Sequence, residues 1–128
     1  MADTVAYIME EMVEELSDFH RRAIFSQSEL KSIVAARRAH EYAMKRRAVT
    51  KTDFLRAIQY EEQLEVLRRH RKRAQSAAAA AAGSKQAKAS ASGVGDHSIL
   101  RRIHFLYTRA LRKFKGDLRL WARPLPSS

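Results

Sequence analysis

The stretch FSQSELKSIV, residues 25–34, opens a helix, and VTKTDFLRAI, residues 49–58, opens another in the same way. Ser26 stands three residues before Glu29. Its hydroxyl can accept from the free amide of Glu29, while the Glu29 carboxylate reaches back to the amide of Ser26. Phe25 and Leu30 flank that pair at the spacing of a hydrophobic staple. In the second stretch Thr50 and Asp53 take the capping positions and Val49 and Phe54 the staple, with Asp in place of the longer Glu. Two caps this close together predict two helices joined by a short connection, hence antiparallel neighbours.

Working outward, Leu30, Ile33, Val34 and Met44 supply the apolar positions of the first of these helices, with Arg37, Arg38, Lys45, Arg46 and Arg47 around them. Phe54, Ala57, Ile58, Leu64 and Leu67 continue the second, with Tyr60 beside the stripe. It runs into Arg68, Arg69, His70, Arg71, Lys72 and Arg73. Upstream, Val5, Ile8, Met9, Met12, Leu16, Phe19 and Ala23 recur at steps of three and four, which predicts a helix capped at Asp3 or Thr4. Its acids, Glu10, Glu11, Glu14, Glu15 and Asp18, fall largely outside that stripe and are expected on a solvated face.

Downstream, AQSAAAAAAGSKQAKASASGVG (residues 74–95) loses all periodicity and offers little side-chain area to bury. It is expected to be a flexible Ala/Ser/Gly/Lys-rich linker over 74–97. A fourth helix follows from Asp96 or Ser98, with Ile99, Ile103, Leu106, Tyr107, Ala110 and Phe114 on one face and Leu100 and Leu111 widening it. Gly116 suits the residue past its end and Asp117 the cap of a next helix. Nothing in the last thirteen residues supplies a partner for its apolar face. The expectation is an exposed stripe, a chain that folds poorly alone, and fast amide exchange over 98–115.

Composition points the same way: four Gly, two Pro and no Cys in 128 residues favour helix and exclude a disulfide or thiolate–metal framework. The acidic, base-free first 18 residues argue against a secretory signal or mitochondrial presequence, and no apolar run approaches membrane-spanning length. The net charge of +11 is uneven. Residues 1–25 hold six acids and two bases, whereas residues 26–73 hold six acids and thirteen bases and residues 98–128 one acid and eight bases. Such a balance favours a polyanionic partner, most often nucleic acid.

No constellation supports catalysis. His20, His40, His70, His97 and His104 lack metal-ligand spacing, and there is no phosphate-cradling glycine loop or nucleophile elbow. No cofactor, metal or small-molecule substrate is expected. The run Arg68, Arg69, Arg71, Lys72 and Arg73 reads in three ways: a solvated helix end complementing the helix dipole, a nuclear-import patch, or a phosphate-contacting patch.

ILRRIHFLYTRALRKFKGDLRLW (residues 99–121) resembles the HAT repeat, a half-a-TPR helical hairpin of RNA-processing proteins. Tyr107, Arg109, Ala110 and Leu111 match the second helix of a unit, Phe114 adds to its packing face, and Trp121 matches the opening of the next. Pro124 departs from the aromatic that should follow. Residues 25–73 resemble the start of the U3 small nucleolar RNA-associated protein six family, through Phe25-Ser26 with Glu29-Leu30, Glu41-Tyr42 before a basic pair, Asp53-Phe54, Tyr60-Glu61, Leu64, Leu67 and the closing basic run.

The resemblance implies a non-catalytic, nucleolar HAT-repeat subunit of the UTP-B complex. That complex acts in the small-subunit processome on pre-rRNA and supports maturation of 18S rRNA. The implied partners are tandem β-propeller subunits and U3 small nucleolar RNA, with no membrane. A basic RNA-binding module, or a HAT protein of splicing or mRNA 3′-end processing, is the alternative. The expected organisation is all-α: an antiparallel three-helix domain over 1–73, the linker over 74–97, a truncated HAT array over 98–121, and a non-family tail over 122–128.

Overall fold

The computed structural model describes residues 8–10, 12–83 and 95–115. Four helices carry the fold: α1 (Val13–Arg21), α2 (Gln27–Met44), α3 (Lys51–Ala81) and α4 (Gly95–Lys113). Residues 8–10 are helical as well, and no strand occurs among the described residues. The caps at Asp3 or Thr4, the junction at Gly116 and Asp117, Trp121 and the tail over 122–128 lie outside them.

Both reciprocal caps form as expected. Ser26 N–H donates to Glu29 Oε1 at 2.8 Å and Glu29 N–H to Ser26 Oγ at 3.2 Å. Thr50 N–H donates to Asp53 Oδ2 at 2.9 Å and Asp53 N–H to Thr50 Oγ1 at 3.3 Å. The shorter aspartate still reaches. The staple residues Phe25, Leu30 and Phe54 are buried.

α1 stops by a route the sequence does not advertise. Ala23 takes a left-handed φ of 57°. Ile24 N–H then donates to Phe19 C=O at 3.0 Å and Ala23 N–H to His20 C=O at 3.1 Å. These are the two bonds of a Schellman ending, with an alanine where glycine is usual. Ala23 is therefore an exposed end residue, and the helical stripe ends before it.

Successive helices run antiparallel. Glu29 pairs with Arg71 and Arg37 with Glu61 across α2 and α3. Phe54 meets Phe114, and Arg68 meets Asp96, across α3 and α4. The last helix then returns to the first: Gly95 N–H donates to Asp18 Oδ2 at 2.9 Å, and Ser98 Oγ donates to Glu15. Neighbours are thus α1–α2, α2–α3, α3–α4 and α4–α1, a closed four-helix arrangement.

That closure corrects the expectation of an unpartnered fourth helix. Ile99, Ile103, Leu106 and Ala110 are fully buried, in one core with Phe19, Phe25, Ile33, Phe54 and Ile58. Burying an Ile or Leu side chain is worth about 1.5–3 kcal/mol. The α4 stripe is therefore a principal source of stability, with α1 and α3 as its partners. The expected division between a 1–73 domain and a separate repeat gives way to a single shared core.

The expected linker start also shifts. α3 continues through Ala74 to Ala81, because Gln75 Nε2 donates to the free carbonyls of Arg22 and Ala23 at the end of α1, at 3.0 and 3.1 Å. The alanines beyond carry the highest helix propensity and continue a helix already nucleated.

Candidate nucleic-acid and partner interface

The interior is built on charge as well as on apolar packing. Arg37 is fully buried on α2 between two carboxylates. Its Nε and Nη2 donate to Glu61 at 3.0 and 2.8 Å, and Nη1 and Nη2 donate to Glu15 at 2.6 and 3.4 Å. Nη1 also contacts Met12 Sδ at 3.0 Å, so all five guanidinium N–H groups are engaged. Burial works against the charge, but Glu61 and Glu15 outweigh it and hold the Arg37 pKa above its ordinary value. Glu41, also fully buried, accepts from Arg102 at 3.2 Å and from Arg109 at 2.8 Å.

The basic run on α3 proves to be largely structural. Arg68 is buried; its Nε and Nη2 grip Glu65 at 2.7 and 3.0 Å, and Nη1 reaches Asp96 on α4 at 3.2 Å. Arg69 joins Glu65 at 2.8 Å, and Lys72 joins Asp96 at 2.8 Å. Arg71 grips both oxygens of Glu29 at 2.7 Å, donates to Ile24 C=O at 3.0 Å, and lies over the Phe25 ring at 5.5 Å. These bonds from Arg71, followed by the Ser26 amide, lower the Glu29 pKa from its ordinary 4.5 to about 2. Arg73 alone of the five is exposed and outside any ion pair among the described residues. The run therefore clamps α3 to the α1–α2 connection, to α2 and to α4 and is not one continuous cationic surface.

Of the HAT-like residues, Arg109, Ala110, Tyr107 and Phe114 face the same interior. Arg109 bonds Glu41 and lies over the Phe54 and Phe105 rings at 5.9 and 5.2 Å. Ala110 is buried, Tyr107 and Phe114 pack partly against the core, and Leu111 is 48% exposed. Trp121 lies outside the described residues.

Acids that the sequence places on a solvated face are turned inward instead. Glu15 and Asp18 of α1 are buried, as are Glu41, Asp53, Glu61, Glu65 and Asp96. Every one of these seven meets an arginine. Only Glu10 and Glu14 remain exposed among the eleven described carboxylates. Meanwhile Lys31, Arg38, Arg47, Arg56, Arg101 and Arg112 stand exposed. The fold pairs most of its negative charge with arginines, so the charges left exposed and unpaired among the described residues are mainly cationic.

Sequence reasoning missed this interior network, though a signal existed. Arg37 and Glu41 are spaced by four, and Glu61, Glu65 and Arg68 by four and three, in phase with Ile33, Ile58 and Leu64. Charged residues at core-facing positions imply buried partners. Among the histidines, His40 is half-buried beside Tyr60, with ring centroids 5.4 Å apart, and burial lowers its pKa. The other four are exposed. No cluster of potential metal ligands and no helix long and apolar enough to cross a membrane occurs among the described residues.

Closed helical packing, ion pairs inside and cations outside define a class first: an all-α bundle with a cationic exterior. The particular family follows from comparison with known proteins. Residues 9–102 match the family of U3 small nucleolar RNA-associated protein 6, which spans most of the bundle. The chain is 36% identical over 121 residues to U3 small nucleolar RNA-associated protein 6 of Schizosaccharomyces pombe, covering 94% of this chain and 22% of that protein. The human homologue is 31% identical over 122 residues, covering 94% and 18%, and the Dictyostelium discoideum homologue 32% over 123, covering 96% and 18%. The chain belongs to the U3 small nucleolar RNA-associated protein 6 family. It spans about one fifth of the length of these relatives.

Proposed function

We propose that the chain serves as a non-catalytic assembly module in ribosome biogenesis, acting with the U3 small nucleolar ribonucleoprotein in the nucleolus. Family membership across 94% of the chain is the observation that carries this reading. In finer terms, the bundle is a docking piece of a UTP-B-type scaffold in the small-subunit processome, contributing to pre-rRNA processing and 18S rRNA maturation. Its helical faces meet tandem β-propeller subunits, and exposed Leu111 on α4 marks a side on which further HAT units would stack.

A tagged chain incubated in nuclear extract should recover U3 RNA together with β-propeller subunits. Recovery of neither overturns the proposal.

A second reading has its own support. Direct contact with RNA through the exterior is favoured by the inward acids and outward cations. Affinity for an RNA oligonucleotide should then fall steeply as salt rises, whereas docking through apolar faces should respond little.

A further inference from the structure

Several of the cations that remain available share one side of α2. Lys31 and Arg38 on α2 and Lys45 at its C-terminal cap are spaced by seven residues, so they fall along one side about 10 Å apart; Lys31 and Arg38 are exposed and Lys45 is half-buried. Ala35 and Tyr42 lie in the same row, and Tyr42 is 46% exposed. Arg47 continues beyond the helix end, also exposed. Lys31, Arg38, Lys45 and Arg47 enter no ion pair among the described residues.

The row also lacks acids. The two carboxylates of α2 are turned elsewhere: Glu41 is buried against Arg102 and Arg109, and Glu29 is held by Arg71. On the neighbouring helix, exposed Glu14 borders a hollow with Ser98, Arg101 and Phe105, on the α4 side. The hollow shared by α1 and α2 is lined by Val13, Leu16, Leu30, Val34, His20 and Lys31 and contains no carboxylate.

We propose that the solvent face of α2 is a single-stranded RNA-binding stripe, in which Lys31, Arg38, Lys45 and Arg47 neutralise phosphates and Tyr42 stacks on a base. The chemistry follows from the arrangement. A row of cations about 21 Å long, with no carboxylate in it, tracks a phosphate backbone. An exposed aromatic between two of those cations offers a base a π-face, which a purely electrostatic docking site for an acidic protein does not require. The inference rests on the RNA-contact reading above and gives that contact a location on α2.

The test uses the full chain and a fluorescent twelve-nucleotide oligouridylate, titrated at several salt concentrations. The variant Lys31→Gln/Arg38→Gln/Lys45→Gln should lower the slope of log affinity against log salt by about 2, since each phosphate neutralised on a single strand contributes about 0.7. Tyr42→Ala should weaken binding about five-fold or more at unchanged slope. Arg69→Gln/Arg73→Gln should lower the slope by about 1 at most. Unaltered circular dichroism would show that these variants fold.

Equal slopes for the triple variant and the parent overturn the stripe. So does a larger loss from the Arg69/Arg73 pair, and so does binding of polyglutamate as tight as RNA with no effect of Tyr42→Ala. A parent that binds no oligonucleotide yet recovers U3 RNA from extract overturns the stripe while the assembly reading stands. Failure to recover both U3 RNA and β-propeller subunits, alongside stripe-dependent oligonucleotide binding, overturns the assembly reading while the stripe stands.

Discussion

Two basic regions of this molecule invite comparison: the run over 68–73 on α3 and the row Lys31, Arg38, Lys45 on α2. The first is dense in sequence and engaged in space. The second is sparse in sequence and aligned in space. Consecutive helical residues point about 100° apart, so a dense run sprays its charges toward several neighbours. Here those neighbours are Glu65, Glu29 and Asp96. Charges seven apart share a side and stay together. Density along the chain is therefore a poor guide to a binding surface, and helical phase is a better one.

The inward half of that contrast is broken most severely at Arg37. Arg37→Ala leaves Glu15 and Glu61 buried without their counter-charge and should cost about 3–5 kcal/mol, read as a large fall in the urea midpoint. A loss below about 1 kcal/mol would mean that the interior charges carry little of the fold.

Asp96→Ala is expected next in size. Arg22, Arg68 and Lys72 all converge on this carboxylate, at 3.4, 3.2 and 2.8 Å. Its loss should cost about 1.5–3 kcal/mol, the range for hydrogen bonds to charged groups. It should also release cations of the α3 run and steepen the salt dependence of RNA binding. Destabilisation with an unchanged salt slope would show that the released cations stay out of reach.

At Ala23 the expected change has the opposite sign. Ala23→Gly removes the Cβ penalty at φ 57° and should stabilise the chain by about 1 kcal/mol, seen as a higher melting temperature with RNA binding unaltered. A lower melting temperature would mean that the alanine restricts the unfolded chain more than it strains the turn.

The smallest effect concerns pH. Glu29 has its folded pKa lowered to about 2, below the ordinary 4.5, first by Arg71 and then by the Ser26 amide. Its ionised form therefore contributes stability that is fully present above pH 4.5 and is lost as pH falls toward 2. Because the carboxylate is 37% exposed, solvent screens the pair and the effect stays small. The stability gap between the parent and Glu29→Gln should be measurable at neutral pH and close in acid. A gap that persists in acid would assign it to shape instead of charge.

Much of this was legible before any coordinates. The reciprocal caps at Ser26/Glu29 and Thr50/Asp53 are local chemistry, and local chemistry reads directly from spacing. The apolar stripes of α2, α3 and α4 were equally plain. What the sequence could not reveal was who faces whom. The α4 stripe looks orphaned because its partners, Phe19 and Phe54, lie far back in the chain. Glu15 and Asp18 look solvated because nothing local announces Arg37, or the amide of Gly95, as their partners. The ending of α1 was hidden because an alanine occupies a position usually marked by glycine. On α2 the stripe was written in the sequence, but its freedom from ion pairs was not.

The return of α4 to α1 has a further consequence, for the order in which the chain acquires its electrostatic character. The bonds that close the arrangement join residues 74, 77 and 83 positions apart, whereas those between α2 and α3 span 24 to 42. Contacts across longer loops demand more closure entropy and are expected later in folding. On a chain emerging from the ribosome, α1 to α3 would stand assembled while Asp18 still lacked the Gly95 amide and Glu41 still lacked Arg102 and Arg109. Uncovered carboxylates repel polyanions. Glu41 gains its counter-charges only when Arg102 and Arg109 of α4 arrive, so the affinity for RNA is itself a report that the bundle has finished folding.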